Sequence, residues 1–330
     1  MLKSVRFWIG LVISAICLYF AFQGIRLDQV VAALRGIIAV WLLPATLLFI
    51  VSYGARVFRW QLLFWPTKMR LGKVFGALNI GYFLSNILPA RIGDIVRAYL
   101  IGDMEGVNKA RALSTVVVER MGDGLTVVIL LAVTAVFVPN IPVAARDGAV
   151  GVAALGVIGI LALLLLSFQK ERGLALLHRL AAPFPFLQHP ALWQALEGLI
   201  DGFAVLRSPR PILGVGLWSL CAWLLGGLMY WTVMQAMGLH LPVPAAFLVM
   251  TVTSLVVVVP SSPGYVGVFH YVAQLTLTSV FGVDKSSALS YAIVMHAFTY
   301  LWLLALGLFS IWQQGLTYQR LQVIQTQQVD

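Results

Sequence analysis

The sequence predicts an all-α, polytopic membrane helix bundle, and three observations predict it. Of its 330 residues, 61% are hydrophobic and 10% charged, and the mean hydropathy is +0.94. A soluble domain of this length is not so apolar. Apolar runs long enough to cross a bilayer as a helix, about 20 residues each, recur along the chain. The runs are continuous and do not alternate with a period of two, which argues against a transmembrane β-barrel.

The predicted full spans, about six in number, are Phe7–Phe22, Ile38–Val57, Leu113–Val138, Ala149–Phe168, Ile212–Met237 and Ala288–Trp312. Lys3 and Arg6 precede the first run, as in a signal peptide, but Ala21-Phe22-Gln23 is a poor cleavage site. The segment is therefore expected to remain as a membrane helix. Two other stretches are interrupted. Val74–Leu88 meets Pro89, Arg91, Gly93, Asp94 and Arg97. Ala245–Val259 meets Pro260-Ser261-Ser262-Pro263-Gly264 and resumes until Phe281. Their arms are about 15–17 residues, at the lower limit for a span. Proline removes a backbone donor and glycine loosens the chain, so each stretch should break at its middle. Both are expected to be re-entrant hairpins, whose non-helical backbone must lie in protein or line a cavity.

Basic residues order the loops. Lys3 and Arg6 place the N-terminus in the cytoplasm. The loop with Arg56, Arg59, Lys68, Arg70 and Lys73, the segment with Lys170, Arg172, Arg179, Arg207 and Arg210, and the C-terminal Arg320 then fall on the same face. The first hairpin opens inward and the second outward. This predicts an inverted-topology repeat in one integral membrane domain, with halves at about 1–145 and 149–315. Trp41 precedes Pro89 by 48 positions, as Ile212 precedes Pro260. Within residues 171–210, Leu192, Leu196, Leu199, Ile200 and Phe203 recur at helical spacing, suiting an amphipathic helix on the cytoplasmic interface. The net charge of +10 is read as cytoplasmic loops and contact with anionic lipid, not nucleic-acid binding. Cys17 and Cys221 lie in apolar helices and are read as small core residues. No metal or cofactor motif is found.

The chemistry-bearing residues sit where the chain is most apolar. An ionised group at the bilayer centre costs roughly 2.5–3.5 kcal/mol on insertion scales, so such groups face a bundle interior or a watery cavity. Asn86-Ile-Leu-Pro89-Ala-Arg91-Ile-Gly93-Asp94-Ile-Val-Arg97 is the sharpest constellation. Arginine captures phosphate through a planar, bidentate fork. Arg91 and Arg97, with Asn86 and Asp94, are candidate substrate-binding residues; the competing reading is a self-neutralising Arg–Asp–Arg network. Glu119 and Asp123 share a helix face and repel unless a cation or proton lies between them. They balance charge or relay protons, or else cap the helix while Arg120 reaches the headgroups. In the second hairpin, Ser261 and Ser262 are candidate substrate ligands, and Pro260, Pro263, Gly264 and Gly267 form the break, as Pro89 and Gly93 do in the first. His270 is a candidate proton relay or a hydrogen-bonded packing residue, and His296 is a weaker candidate. Arg56 and Arg59, beside Trp60, are read as snorkelling interfacial anchors.

Taken together, Arg56-Val-Phe-Arg59-Trp60, Asn86 to Asp94 with Arg97, Glu119-Arg120 with Asp123, and Pro263-Gly264 with Gly267 resemble the transmembrane domain of lysylphosphatidylglycerol synthases and their stand-alone, flippase-like relatives. The resemblance covers about residues 5–315. It implies a bacterial inner-membrane protein that moves an aminoacylated phospholipid or polyprenyl-linked lipid between leaflets. The chain departs from the family pattern with His270 where a glutamate is common and Tyr265 where a second glycine is common. It ends soon after Trp312, without the soluble domain that performs aminoacyl transfer in the synthases, so synthase activity is not expected.

The leading expectation is a flippase or transporter for a phosphate-bearing lipid, with membrane lipids as partners and no enzymatic activity. The alternatives are a membrane lipid-linked glycosyl or phosphoryl transferase, and a non-catalytic partner of a lipid-synthesis enzyme.

Overall fold

The computed structural model describes residues 5–88, 92–138, 141, 143–168, 170–183, 193, 208–255 and 262–315. Among these residues the chain is helical, with no strand. Its helices are α1 (Val5–Phe22), α2 (Leu27–Arg35), α3 (Leu42–Leu62), α4 (Leu71–Ile87), α5 (Ile92–Glu105), α6 (Lys109–Phe137), α7 (Val143–Phe168), α8 (Lys170–Ala181), α9 (Pro209–Ala236), α10 (Val243–Leu255), α11 (Val268–Phe281) and α12 (Lys285–Gln313). The protein is a polytopic membrane helix bundle.

By length and composition, Ala39–Leu62, Pro211–Ala236 and Lys285–Gln313 can each cross a membrane. The apolar helix α1 and the short, mixed-polarity α2 meet at 86° and pass the same test only as a bent pair. Helix α2 had no counterpart among the expected elements. The expected span Leu113–Val138 corresponds to α6, which ends one residue earlier, and Ala149–Phe168 falls within α7. At 1.5 Å per residue, the 29 residues of α6 reach about 43 Å, ample for a crossing, yet it carries Glu119, Arg120 and Asp123. The predicted amphipathic segment Leu192–Phe203 lies outside the described residues except for Trp193.

Packing centres on α3 against α9, and each is flanked by a broken pair. Helices α4 and α5 lie against each other, α5 packs on α6, and α4 packs on α12. On the other side, α10 touches α9 and α11, α11 packs on α12 and α10 on α6. Helices α1 and α7 are peripheral, against α11 and α6 respectively. Lipid-facing surfaces remain apolar, with Leu43, Leu47, Val133, Val136, Leu213 and Leu217 exposed. Polar groups turn inward, where they bond between helices: the Ser52 hydroxyl donates to the Ala222 carbonyl at 2.8 Å, tying α3 to α9, and Asn79 donates to Ser310 at 3.0 Å, tying α4 to α12.

Both sequence breaks interrupt helices. Helix α4 stops at Ile87, and α5 begins at Ile92. The close return of α5 depends on glycine. A Cβ on Gly81 would lie 2.7 Å from the Arg97 Cβ and 2.8 Å from the Gly93 carbonyl oxygen, and a Cβ on Gly93 would collide with the Gly81 carbonyl. The second break ends in a short turn, Pro263–Tyr265, before α11. Here Gly264 (φ 71°) and Gly267 (φ 91°) occupy left-handed backbone that a side chain disfavours. A Cβ on Gly267 would also strike the Ser14 carbonyl in α1. Gly267→Ala is therefore expected to destabilise the protein by about 1–3 kcal/mol, read as a lower thermal midpoint in detergent.

Candidate functional site: a buried charge cluster beside two helix breaks

A cluster of arginines and carboxylates occupies the interior where α3, α4, α5, α6 and α9 meet. Asp123 stands at the middle of α6, and Trp223 near the middle of α9. Arg59 is the hub. Its Nη2 donates to Glu119 Oε1 at 2.7 Å, and its Nη1 donates to Asp123 Oδ1 at 2.6 Å. Only 1% of the Arg59 side chain is exposed. Glu119 also accepts from Arg97 Nη1 at 2.8 Å and from the Tyr82 hydroxyl at 3.2 Å. Asp123 also accepts from the Trp223 indole N–H at 2.9 Å. Each carboxylate thus has several donors, the condition under which a buried charge is tolerated.

A second pair adjoins the first. Arg120 grips Asp94 with two hydrogen bonds, Nε to Oδ2 at 2.9 Å and Nη2 to Oδ1 at 2.6 Å. Arg97 Nη2 lies 3.2 Å from the same Oδ1. The guanidinium of Arg97 sits 4.8 Å from the Trp60 ring centroid and 5.3 Å from that of Tyr82, and Arg120 is 5.4 Å from Tyr82. Aromatic faces thereby shield cations that hydrogen bonds alone do not satisfy. Arg56 lies over Trp223 at 5.1 Å.

These contacts correct three expectations. Arg56 is not a snorkelling anchor but lies over Trp223, 3.9 Å from Asp123. Arg59 is not a snorkelling anchor: it points inward and clamps both carboxylates. Arg120 does not reach for headgroups but pairs with Asp94. The i, i+4 repulsion between Glu119 and Asp123 is relieved by the one guanidinium that bonds to both. Residues not singled out from sequence also belong here: Tyr82, Trp223 and Ser219, whose hydroxyl accepts from Arg59 at 3.2 Å. A helical-face reading of α3 would have found part of the set, because Tyr53, Arg56 and Arg59 recur three apart.

The two breaks meet one turn from the cluster. Asn86 donates back to the Tyr82 carbonyl at 2.8 Å. Its own carbonyl accepts from the Tyr300 hydroxyl of α12 at 3.3 Å. A Cβ on Gly264 would lie 3.5 Å from that same carbonyl and 3.0 Å from the Tyr300 ring. Thus the end of α4, the Pro263–Tyr265 turn and α12 converge. His296 holds the turn from the other side, its Nε2 donating to the Gly264 carbonyl at 2.8 Å. His270 caps α11, its Nδ1 accepting the Gly267 N–H at 3.2 Å, and its ring stands edge to face 4.9 Å from His296. Both imidazoles are thereby given packing and hydrogen-bonding work. Ser262 accepts at neither break: its hydroxyl donates to the Val266 carbonyl and its N–H to the Ser14 hydroxyl. Pro89, Arg91, Pro260 and Ser261 lie outside the described residues. Among the described residues no group of three or more metal-ligating side chains is found.

A membrane helix bundle with interrupted helices and an ion-paired interior defines a multi-pass membrane protein. The sequence model of the lysylphosphatidylglycerol synthase TM region matches residues 7–307, and the chain belongs to that family. It is 28% identical over 253 residues to a UPF0104 membrane protein of Methanothermobacter thermautotrophicus, covering 73% of each chain. It is 24% identical over 318 residues to the glycosyltransferase AglD of Haloferax volcanii, covering 87% of this chain and 51% of AglD. The chain therefore spans about half the length of that relative. No solved structure matches it.

Proposed function

We propose that the protein is a flippase or transporter that passes the phosphate headgroup of a membrane lipid through its charged interior while the acyl or polyprenyl tails remain in the bilayer. The observation that carries this reading is the contact between the two breaks, Asn86 with Gly264 and Tyr300, one helical turn from the cluster of Arg59, Arg97, Glu119 and Asp123. A charge cluster serving stability alone does not need two interrupted helices meeting beside it. Interrupted helices at a repeat interface are the usual site of substrate capture in transporters.

The packing also supports an inverted repeat. Exchange α3 with α9, α4 with α10, α5 with α11 and α6 with α12. The pairs α3–α4, α4–α5, α5–α6 and α4–α12 then become α9–α10, α10–α11, α11–α12 and α10–α6, and all of them are packed pairs. Rocking of the two halves about the α3–α9 contact would open the site to one leaflet and then the other. The basic loops favour cytoplasmic N- and C-termini.

The test is leaflet exchange in reconstituted vesicles. Fluorescent phosphatidylglycerol or a polyprenyl phosphate should redistribute faster with protein than in empty vesicles. Failure with every phosphate lipid would reject transport. A second reading follows from AglD, a relative named as a glycosyltransferase: the chain serves such an enzyme, or is one. Turnover of a nucleotide-sugar or polyprenyl donor by the purified protein, or a co-purifying enzyme, favours it.

A further inference from the structure

The cluster holds more hydrogen-bond donors than acceptors, and the excess has a direction. Among the described residues the buried side-chain atoms without a hydrogen-bond partner are the Tyr53 hydroxyl, Ser85 Oγ, Arg59 Nε, Arg97 Nε and Nη2, and Asn79 Oδ1 further along α4. All but Asn79 Oδ1 can donate. The described cluster also carries four guanidinium groups (Arg56, Arg59, Arg97 and Arg120) and three carboxylates (Asp94, Glu119 and Asp123), a surplus of one positive charge. The arginines are not equivalent. Arg59, Arg97 and Arg120 each hydrogen-bond a carboxylate. The nearest acid to Arg56 is Asp123, 3.9 Å away, whose Oδ1 already accepts from Arg59 and Trp223.

Arg56 is also reachable: 20% of its side chain is exposed, compared with 1% for Arg59 and 0% for Arg97. Arg120, 30% exposed, approaches the other oxygen of Asp123 at 3.9 Å. Tyr53 stands one helical turn from Arg56 on α3, with its ring 5.7 Å from Tyr82. Its hydroxyl is buried and unpartnered.

Resting on the transport reading, we infer that Arg56, flanked by Tyr53 and Arg120, is the landing site for the lipid anion, and that the anion is a singly charged phosphodiester. The surplus of one positive charge among the described residues balances a phosphodiester, which carries one negative charge. A phosphomonoester carries about −1.5 to −2 at neutral pH and would leave the site negative. Phosphate oxygens are acceptors only, the group the cluster lacks. Arg59 and Arg97, held by Glu119 and Asp123, then fix the wall of the site and are not its first contact.

The test measures binding apart from transport. Purified protein in an uncharged detergent is titrated with short-chain phosphatidylglycerol, short-chain phosphatidic acid or inorganic phosphate, with affinity read from thermal stabilisation. Phosphatidylglycerol should bind best. Arg56→Gln should weaken it by about tenfold to a hundredfold, and Tyr53→Phe by a smaller factor, as for loss of a charged and a neutral hydrogen bond. The unliganded thermal midpoint of Arg56→Gln should stay near wild type, since Arg56 makes no carboxylate hydrogen bond. Equal phosphatidylglycerol affinity in wild type and Arg56→Gln overturns the assignment. Inorganic phosphate binding as tightly as phosphatidylglycerol overturns the lipid source, and preference for phosphatidic acid overturns the diester. If vesicles show no exchange while Arg56-dependent binding persists, the transport reading falls and the landing site stands.

Discussion

Arg59→Leu will lower the stability of the folded protein by about 3–5 kcal/mol, the usual cost of stripping one partner from a buried ion pair. The change removes the guanidinium that bonds to both Glu119 and Asp123 and leaves two carboxylates facing each other inside the bundle. Thermal unfolding in detergent, followed by size-exclusion fluorescence, reads the loss. The double variant Arg59→Leu, Asp123→Asn should recover part of it, because the carboxylate that loses its guanidinium is neutralised while Glu119 keeps Arg97. An Arg59→Leu midpoint equal to wild type would mean that the guanidinium faces lipid headgroups after all.

Gly93→Ala should be comparably severe for a steric reason. The added methyl would run into the Gly81 carbonyl and lie 2.5 Å from Ser85 Oγ. Two of its obstacles, the Gly81 carbonyl and the Ser85 amide, are backbone atoms of α4 that no rotamer change can move. Helix α5 would have to shift away from α4, carrying Asp94 and Arg97 off Arg120 and Glu119. A loss of about 3 kcal/mol or more is expected, at the upper end for overpacking. Gly122→Ala, on α6 with open space at its Cβ, is the control and should change little. Equal stability of Gly93→Ala and Gly122→Ala would contradict the close crossing.

Much of the architecture was legible because the solvent is a bilayer. The long apolar runs place α3, α9 and α12 to within a few residues, as Ile38–Val57, Ile212–Met237 and Ala288–Trp312. Proline and glycine mark the first break, where α4 ends at Ile87 and α5 begins at Ile92. Helix α2 was missed because its nine residues are too short and too mixed in polarity to register as a span. The site was legible in part. The charges at 94, 97, 119, 120 and 123 stood out because lipid makes them costly. Which charge meets which did not, because pairing across helices depends on rotation and tilt, which hydropathy does not encode. Arg59 shows the limit: a cation near the end of a span reads the same whether it snorkels outward or turns inward. Trp223 and Ser219 gave no signal, since isolated Trp and Ser residues are common in membrane helices.

The most direct test of the charged interior as the lipid path is the initial rate of phosphatidylglycerol exchange in vesicles bearing wild type or Glu119→Gln. That change keeps the shape of the side chain but raises the positive surplus among the described residues of the cluster from one to two. The account predicts tighter phosphatidylglycerol binding with exchange slowed at least about tenfold, because the anion is released less readily. Exchange at the wild-type rate, from protein whose fold is intact, would contradict it.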